Sequence, residues 1–544
     1  MGRWQRLIYQ AASGLRCLHT SACASAELSG PSFKTSGLAQ ARSGRPADSP
    51  GYLAWLGQSG VQAAARKQTP LTQPLPNVEP SQPYRAPSSP PPTEITTLPN
   101  GVRIVSEAMP GPTSSIGLYV NSGSIYEDDR SRGCSALLEC LAFKSSTHRP
   151  SLAIMKGVER LGGNIAANAS REQMSYTLDC LKTGVPAALE LLCDVVLNPK
   201  FAPAEVEEQK GRLQALLTSK DIQTTLLSEL LTREAYKGAL SRPLIPDPSD
   251  LYFLTPQVLH DFCRTHYTAP RLVLAASGVD HRQLVELAEP MLAQLPAAQP
   301  VVEPTSEYVG GCVRVPGQAP QANLTLAFEY SGGWRDVQGA VAMTVLTYLL
   351  GGGNSFSSGG PGKGMHSRLY TRVLNQYYWV HSCTAFNSTY NGSGLVGIQA
   401  SCDAGHADDM LNVMCRELEA AARSLGHEEV ARAKRAAVSI IYNALESKAT
   451  SAEDIGRQFL TYGHRISGRQ YVDMLEAVTP SDISQFVARL LRSKPSLGLF
   501  GNGTESVKYE ALLARYTPAG AAKEPGADSK VQRVFRMGSL WRSG

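Results

Sequence analysis

The second half of this 544-residue chain repeats the first in outline, and that repetition restricts it to folds built from two like halves. An apolar strand pattern at Ile116–Val120 leads into Ser122-Gly123-Ser124, the acidic run Glu127-Asp128-Asp129 and a helical stretch from about Gly133 to Phe143. A strand pattern at Leu324–Phe328 leads in the same way into Ser331-Gly332-Gly333-Trp334-Arg335-Asp336 and a small-residue helix from Gly339 to Leu350. Late in each half a second match recurs, Pro270–Ala275 against Pro495–Phe500, each followed by a glycine and then a helix. The spacing of roughly 210–225 residues is too long for a solenoid period and fits duplication of a domain-sized unit. Each copy mixes hairpins with long helices, so the class is α+β.

Within the first copy, Ile95–Leu98, the turn Pro99-Asn100-Gly101 and Val102–Val105 read as a hairpin. Gly162-Gly163-Asn164 turns the chain toward an alternating strand at Met174–Leu181. Helical periods follow at Val185–Leu197, over a long stretch from Phe201 to about Tyr236, at Val258–His266 and at His281–Leu295, with an apolar strand at Leu272–Ala276 between the last two. The two like domains are expected over 94–300 and 301–516, joined near Pro296–Thr305.

Charge separates the ends from the body. Residues 1–93 carry nine basic and three acidic side chains, and 517–544 carry five and two, whereas the chain as a whole is only +5. The body is therefore mildly acidic, which does not suggest a nucleic-acid partner and is compatible with a basic ligand. The first 26 residues hold Arg3, Arg6 and Arg16, no acid, and an apolar stripe at three- and four-residue steps. That pattern is a mitochondrial or plastid transit peptide, placed at 1–27. Residues 28–93, rich in Ser, Pro, Gln and Gly, and the basic tail 517–544 cannot bury enough apolar surface to order themselves. No run reaches the roughly 18 apolar residues of a membrane span. The eleven scattered cysteines, with no CxxC pair, point to a reducing compartment.

The stretch Gly133–Lys144 resembles the signature helix of the pitrilysin-like (M16) metallopeptidases. That signature is the inverted zinc motif H-x-x-E-H, in which two histidines one turn apart bind zinc and the glutamate acts on the metal-bound water. The histidine positions here read Ala136 and Cys140, and Glu139 alone survives. The region of the distal ligand, Leu213–Leu217, offers Gln214 in place of a carboxylate. Elsewhere no zinc motif forms; His427-Glu428-Glu429 has no second histidine one turn on. The resemblance thus implies a metallohydrolase fold of the LuxS/MPP-like type without a metal site, no cofactor on this chain, and for Glu139 a salt-bridge or surface role.

Leu350–Met365, with seven glycines, resembles the glycine-rich loop of the alpha subunits of mitochondrial processing peptidase, and His366–Asn375 resembles the helix that follows it in that family. A phosphate loop is excluded, because Ser357 stands where its first glycine is required and Gly364 where its hydroxyl residue is required. The segments Tyr442–Ser447 and Glu453–Gln458 resemble late helices of the same family. The resemblance, weaker outside the loop, covers about 94–515. It implies two duplicated domains, each an antiparallel sheet packed with helices, and a non-catalytic subunit that recognises basic presequences and pairs with a zinc-bearing beta subunit in the mitochondrial matrix. The implied substrate contacts are Gly351, Gly352, Gly353, Phe356, Gly359, Gly360, Gly362, Lys363, Gly364 and Met365, with Glu446, Glu453 and Asp454 as acceptors for presequence arginines. The alternative it leaves open is a structural core protein of the cytochrome bc1 complex, respiratory complex III. The two are compatible where the peptidase is built into that complex.

Overall fold

Two six-stranded sheets, five strands of which follow the same order in each, organise the chain. The computed structural model describes residues 91–217, 223–298, 302–315, 319–355 and 364–516. The expected transit peptide, nearly all of the expected arm, the tail and the loop residues 356–363 lie outside them.

The first half runs β1 Thr93–Thr97, β2 Arg103–Glu107, β3 Thr113–Val120, α1 Cys134–Leu141, α2 Ser151–Arg160, β4 Asn164–Ala169, β5 Met174–Leu181, α3 Val185–Leu197, α4 Pro203–Leu217, α5 Gln223–Ala235, β6 Tyr236–Gly238, α6 Pro256–His266, β7 Leu272–Ser277 and α7 His281–Leu292. The second runs β8 Ser306–Tyr308, β9 Gly311–Val315, β10 Gln321–Glu329, α8 Val337–Leu350, β11 Gly352–Asn354, β12 Val380–Thr389, β13 Gly394–Asp403, α9 Ala407–Arg423, α10 His427–Leu445, α11 Lys448–Thr461, α12 Gly468–Ala477, α13 Pro480–Leu490, β14 Ser496–Phe500 and α14 Tyr509–Tyr516. The sheet orders are β1-β2-β7-β3-β5-β4 and β11-β12-β13-β10-β14-β9. The long central strands pair antiparallel in both (β3 with β5 and β7, β10 with β13 and β14). Each sheet also contains one parallel pair, β2–β7 and β9–β14. The α+β reading of two duplicated sheet-and-helix halves holds, with that parallel pair as a refinement.

The expected helical stretch Phe201–Tyr236 holds α4 and α5, with residues 218–222 outside the described ones. The helix expected over His366–Asn375 contains a π-helical turn, Tyr370–Leu374.

Alternation along the strands gives each sheet two apolar faces. Ile116, Leu118 and Val120 of β3 enter the main core of the first half with Leu189 and Leu192 of α3 and Leu284 and Ala288 of α7. Leu324, Leu326 and Phe328 of β10 do the same in the second half with Val345 and Leu346 of α8 and Met410 and Met414 of α9. The opposite faces are covered by exchange. Helix α11, from the second half, lies across β3 and β7 of the first sheet. Its Ile455 and Phe459 close a separate cluster with Val105, Tyr119, Val273 and Ala275. Helix α5, from the first half, lies across β9 and β14 of the second sheet. Its Leu227 and Leu231 pack with Val313, Ala327, Leu395 and Phe500.

Close approach is enforced by glycine. A Cβ at Gly456 of α11 would stand 2.3 Å from the Tyr119 ring, so only glycine lets the helix lie on that ring. Polar ties fix the same helix: Arg103 Nη1 donates to the Phe459 carbonyl at 2.7 Å, and Lys448 Nζ to the Thr113 carbonyl at 2.5 Å. Phe459 is 1% exposed. Its replacement by alanine should cost about 3–5 kcal/mol of unfolding free energy, read as a lower midpoint in urea-induced unfolding of the whole chain.

Candidate functional site

The degenerate signature helix α1 is held at both ends by glutamates. At its start the buried Glu127 accepts from the Gly133 and Ser135 backbone N–H groups at 2.8 and 2.7 Å, where the helix dipole favours a negative charge. Burial nevertheless pushes its carboxyl up to about 7. One turn before the end, Glu139 Oε2 accepts from the Ala169 N–H at 3.0 Å, pinning α1 to the last residue of β4. A salt-bridge or surface role was expected for Glu139; the carboxyl instead caps a strand end, and burial pushes it up to about 7.

Ala136 is buried and contributes no donor atom. Cys140 is half-buried, and burial, followed by the neighbouring Glu139, pushes its thiol up to about 12, against the opposing pull of Arg212. Gln214 is exposed on α4, the helix packed against α1. Among the described residues no three His, Cys, Asp or Glu side chains converge as a metal ion requires. These positions therefore do not fit the zinc of the signature.

The stem of the glycine-rich segment is a built structure. Gly351 and Gly352 have φ of +57° and +102°. A Cβ on Gly351 would stand 2.4 Å from the Ser367 side chain, and one on Gly352 2.0 Å from the Cys383 carbonyl oxygen. Gly352 N–H donates to Ser367 Oγ at 3.1 Å, joining the two ends of the segment. Arg368, buried just beyond, donates to both carboxylate oxygens of Glu429 at 2.8 and 2.5 Å and to the Ser424 carbonyl at 3.1 Å. Among the described residues nothing stands within 4 Å of a Cβ on Gly353 or Gly364, and Met365 is exposed. Phe356, Gly359, Gly360, Gly362 and Lys363 lie outside the described residues. Ser367 and Arg368 fall in the family-like stretch His366–Asn375 but nothing there singles them out, and Glu429 figures in the sequence only as part of a failed metal pattern.

The acidic candidates are not brought together as one open cluster. Glu446 is exposed at the end of α10. On α11, Glu453 is paired with Arg457 at 2.8 Å, while Asp454 is bonded to Arg465, which also holds Glu107 at 3.0 Å. Asp454 does line a cavity of about 320 Å³ between the halves, walled by the β4–β5 turn, Trp334, Tyr390, Asn391 and the ends of α10 and α11.

The fold and the emptied signature define the class. Residues 103–247 match the family described as "Insulinase (Peptidase family M16)", and 254–437 match "Peptidase M16 inactive domain". A chain of "Complex III2 from Candida albicans, Inz-5 bound" shares the fold, with a TM-score of 0.68 at 21% identity over 78% of this chain and all of that one. The mitochondrial-processing peptidase subunit alpha of Solanum tuberosum is 43% identical over 82% of this chain and 90% of its own length. The probable subunit alpha-1 of Arabidopsis thaliana is 42% identical over 86% and 92%, and the alpha subunit of Bos taurus 32% over 82% and 87%. The chain belongs to the family of mitochondrial-processing peptidase alpha subunits.

Two outcomes follow from this geometry. Gly352→Ala should lower the melting temperature, because its Cβ meets a strand carbonyl, whereas Gly353→Ala should leave it within about a degree or two; differential scanning fluorimetry distinguishes them. Glu127 and Glu139 hold protons in the folded chain up to about pH 7 that an unfolded carboxyl releases near 4.5. Folding stability contributed by this protonation is present below about pH 4.5 and is lost as pH rises to about 7. Glu139→Gln, whose amide oxygen still accepts from Ala169, should flatten that decline in urea titrations run at pH 5 and pH 8.

Proposed function

We propose that this chain is the non-catalytic, substrate-recognising subunit of a mitochondrial processing peptidase. In this reading it binds basic presequences and presents them to a zinc-bearing beta subunit, which cuts. The observation that carries it is the contrast between two sites in one chain. The signature helix has lost its ligands at Ala136 and Cys140, while the glycine-rich segment keeps a stem held together by two glycines at positive φ, Ser367 and the Arg368–Glu429 pair. The alpha-subunit names of the relatives support the reading and imply a mitochondrial location; the matrix, or the matrix face of the inner membrane, is the proposed compartment.

The division of labour follows from the chemistry. Glycines allow a main chain to approach an extended peptide closely. The proposed substrate contacts are Gly351–Gly353, Phe356, Gly359, Gly360, Gly362, Lys363, Gly364 and Met365. Gly351 and Gly352 act through the stem they shape, Gly353 and Gly364 have room for contact among the described residues, and Met365 is exposed. Among the acidic candidates Glu446 is the exposed one, and Glu453 and Asp454 would have to exchange an arginine partner for a presequence arginine. The mildly acidic body favours encounter with a basic peptide.

A second reading, a structural core protein of complex III, is favoured by the fold shared with a chain from that assembly. Both hold if the peptidase is built into the complex. Presequence cleavage separates them. The expected result is that neither the purified chain nor its beta partner cuts alone, that the mixture cuts, and that deleting Gly359–Gly364 abolishes cleavage while the pair still co-elutes. Unchanged cleavage after the deletion would leave the structural reading standing, and zinc-dependent cleavage by this chain alone would overturn both.

A further inference from the structure

The glycine-rich stem stands on a buried cluster of charges. Arg368 follows the stem directly and is 5% exposed. Its Nε and Nη2 donate to the two carboxylate oxygens of Glu429 at 2.8 and 2.5 Å, and Nη2 donates also to the Ser424 carbonyl at 3.1 Å. Glu429 lies in the first turn of α10, and its Oε1 accepts from the Gly426 N–H at 2.7 Å. One carboxylate therefore caps a helix and holds a guanidinium. Glu417 of α9 and Arg372 of the π-helical turn lie 3.9 Å apart. Burial pushes the Glu417 carboxyl up, with Arg372 and Arg368 opposing the rise and Glu429 adding to it, so the four charges share one neighbourhood.

For stability alone such a cluster is a poor choice. A buried ion pair is often no better than apolar side chains of the same volume, because desolvation offsets the attraction. This cluster is also incomplete: Arg368 Nη1 and Glu417 Oε2 are buried with no hydrogen-bond partner among the described residues, and a partly satisfied network is worse than an apolar core. What the pair does supply is direction. A planar fork bonded to both oxygens of a carboxylate holds one orientation, where a rotating ammonium holds many.

That direction passes to the stem through the next residue. Ser367 is 8% exposed, and its Oγ accepts from the Gly352 N–H at 3.1 Å. Gly352 opens β11, which pairs with Ser382–Thr384 of β12. The leading end of the glycine-rich segment is thus fixed to the sheet and the trailing end to the α9–α10 turn, with Ser367 joining the two. A shift of Arg368 moves Ser367, and with it the register of the two ends.

We propose that Arg368 and Glu429 are positioning residues for peptide recognition by the glycine-rich segment: the buried pair sets the register of its two ends, and so the affinity for the presented peptide, without entering the chemistry. This role rests on the recognition reading above and deepens it. It adds two residues that touch no peptide and whose effect falls on binding alone, because cutting belongs to the partner.

The test is presequence cleavage by this chain assembled with its beta partner, resolved into KM and kcat per co-eluting pair. Arg368→Lys keeps the charge and loses the fork. The double variant Arg368→Met with Glu429→Gln removes both charges at similar volume, and its glutamine still accepts from Gly426, so α10 keeps its cap. In both, KM should rise about tenfold or more while kcat stays within about twofold, which is the mark of lost binding. Instability lowers the amount of active pair and does not raise KM, so a merely structural role leaves KM where it was. Hydrogen exchange at the Gly352 amide should quicken in both variants. Faster exchange with unchanged KM overturns the proposal, because the pair then shapes the stem without serving recognition. Unchanged exchange overturns it as well, since the stem then does not depend on the pair, and so does a fall in kcat at constant KM. If the beta partner cuts equally well without this chain, the recognition reading fails and the positioning role falls with it. If the partner requires this chain and KM does not move, the positioning role alone fails.

Discussion

The exchange of helices between the halves is the contact on which the rest of the molecule depends. Each sheet has two apolar faces and only one set of its own helices to cover them. The remaining face is closed by a helix belonging to the other half, α11 on the first sheet and α5 on the second. This puts the β4–β5 and β12–β13 turns against one another, where Glu172 meets the Asn391 backbone, and so creates the cavity between them. It also places Asp454 and Arg457 at that cavity, because they ride on the exchanged helix.

Much of the fold could be read from the residues, since local signals were strong. Asn100-Gly101 turns the hairpin, with Gly101 at a φ of +99°. Val185–Leu197 is a helix over the range its periodicity gave. Duplication was visible because strands and glycines recur at a common spacing. The exchange was not visible. Ile455 and Phe459 form a helical apolar pair, but nothing in an amphipathic pattern says which sheet it will cover. Gly456 reads as a motif residue until Tyr119, far back in the chain, is seen beneath it.

The candidate sites divide in the same way. Loss of the zinc ligands could be read directly, because it is a matter of residue identity at positions fixed by one helical turn. The new role of Glu139 could not, because Ala169 lies on a separate element. The glycine-rich segment declared itself by composition, yet its anchors Ser367, Arg368 and Glu429 are ordinary residues whose meaning comes from contact. The contact of Glu172 with Asn391 at the cavity is the extreme case, since 219 residues separate them and neither sits in a motif.

The exchanged helix also sets an order of events during synthesis. The first sheet is complete in sequence once Ser277 has emerged, but the helix that covers its outer face ends its contribution at Phe459. At ordinary elongation rates the ribosome needs on the order of 10 to 40 s to cross that gap. Until Ile455 and Phe459 have been made, Val105, Tyr119, Val273 and Ala275 lack the helix that closes their cluster, and an uncovered apolar face of this kind is prone to association.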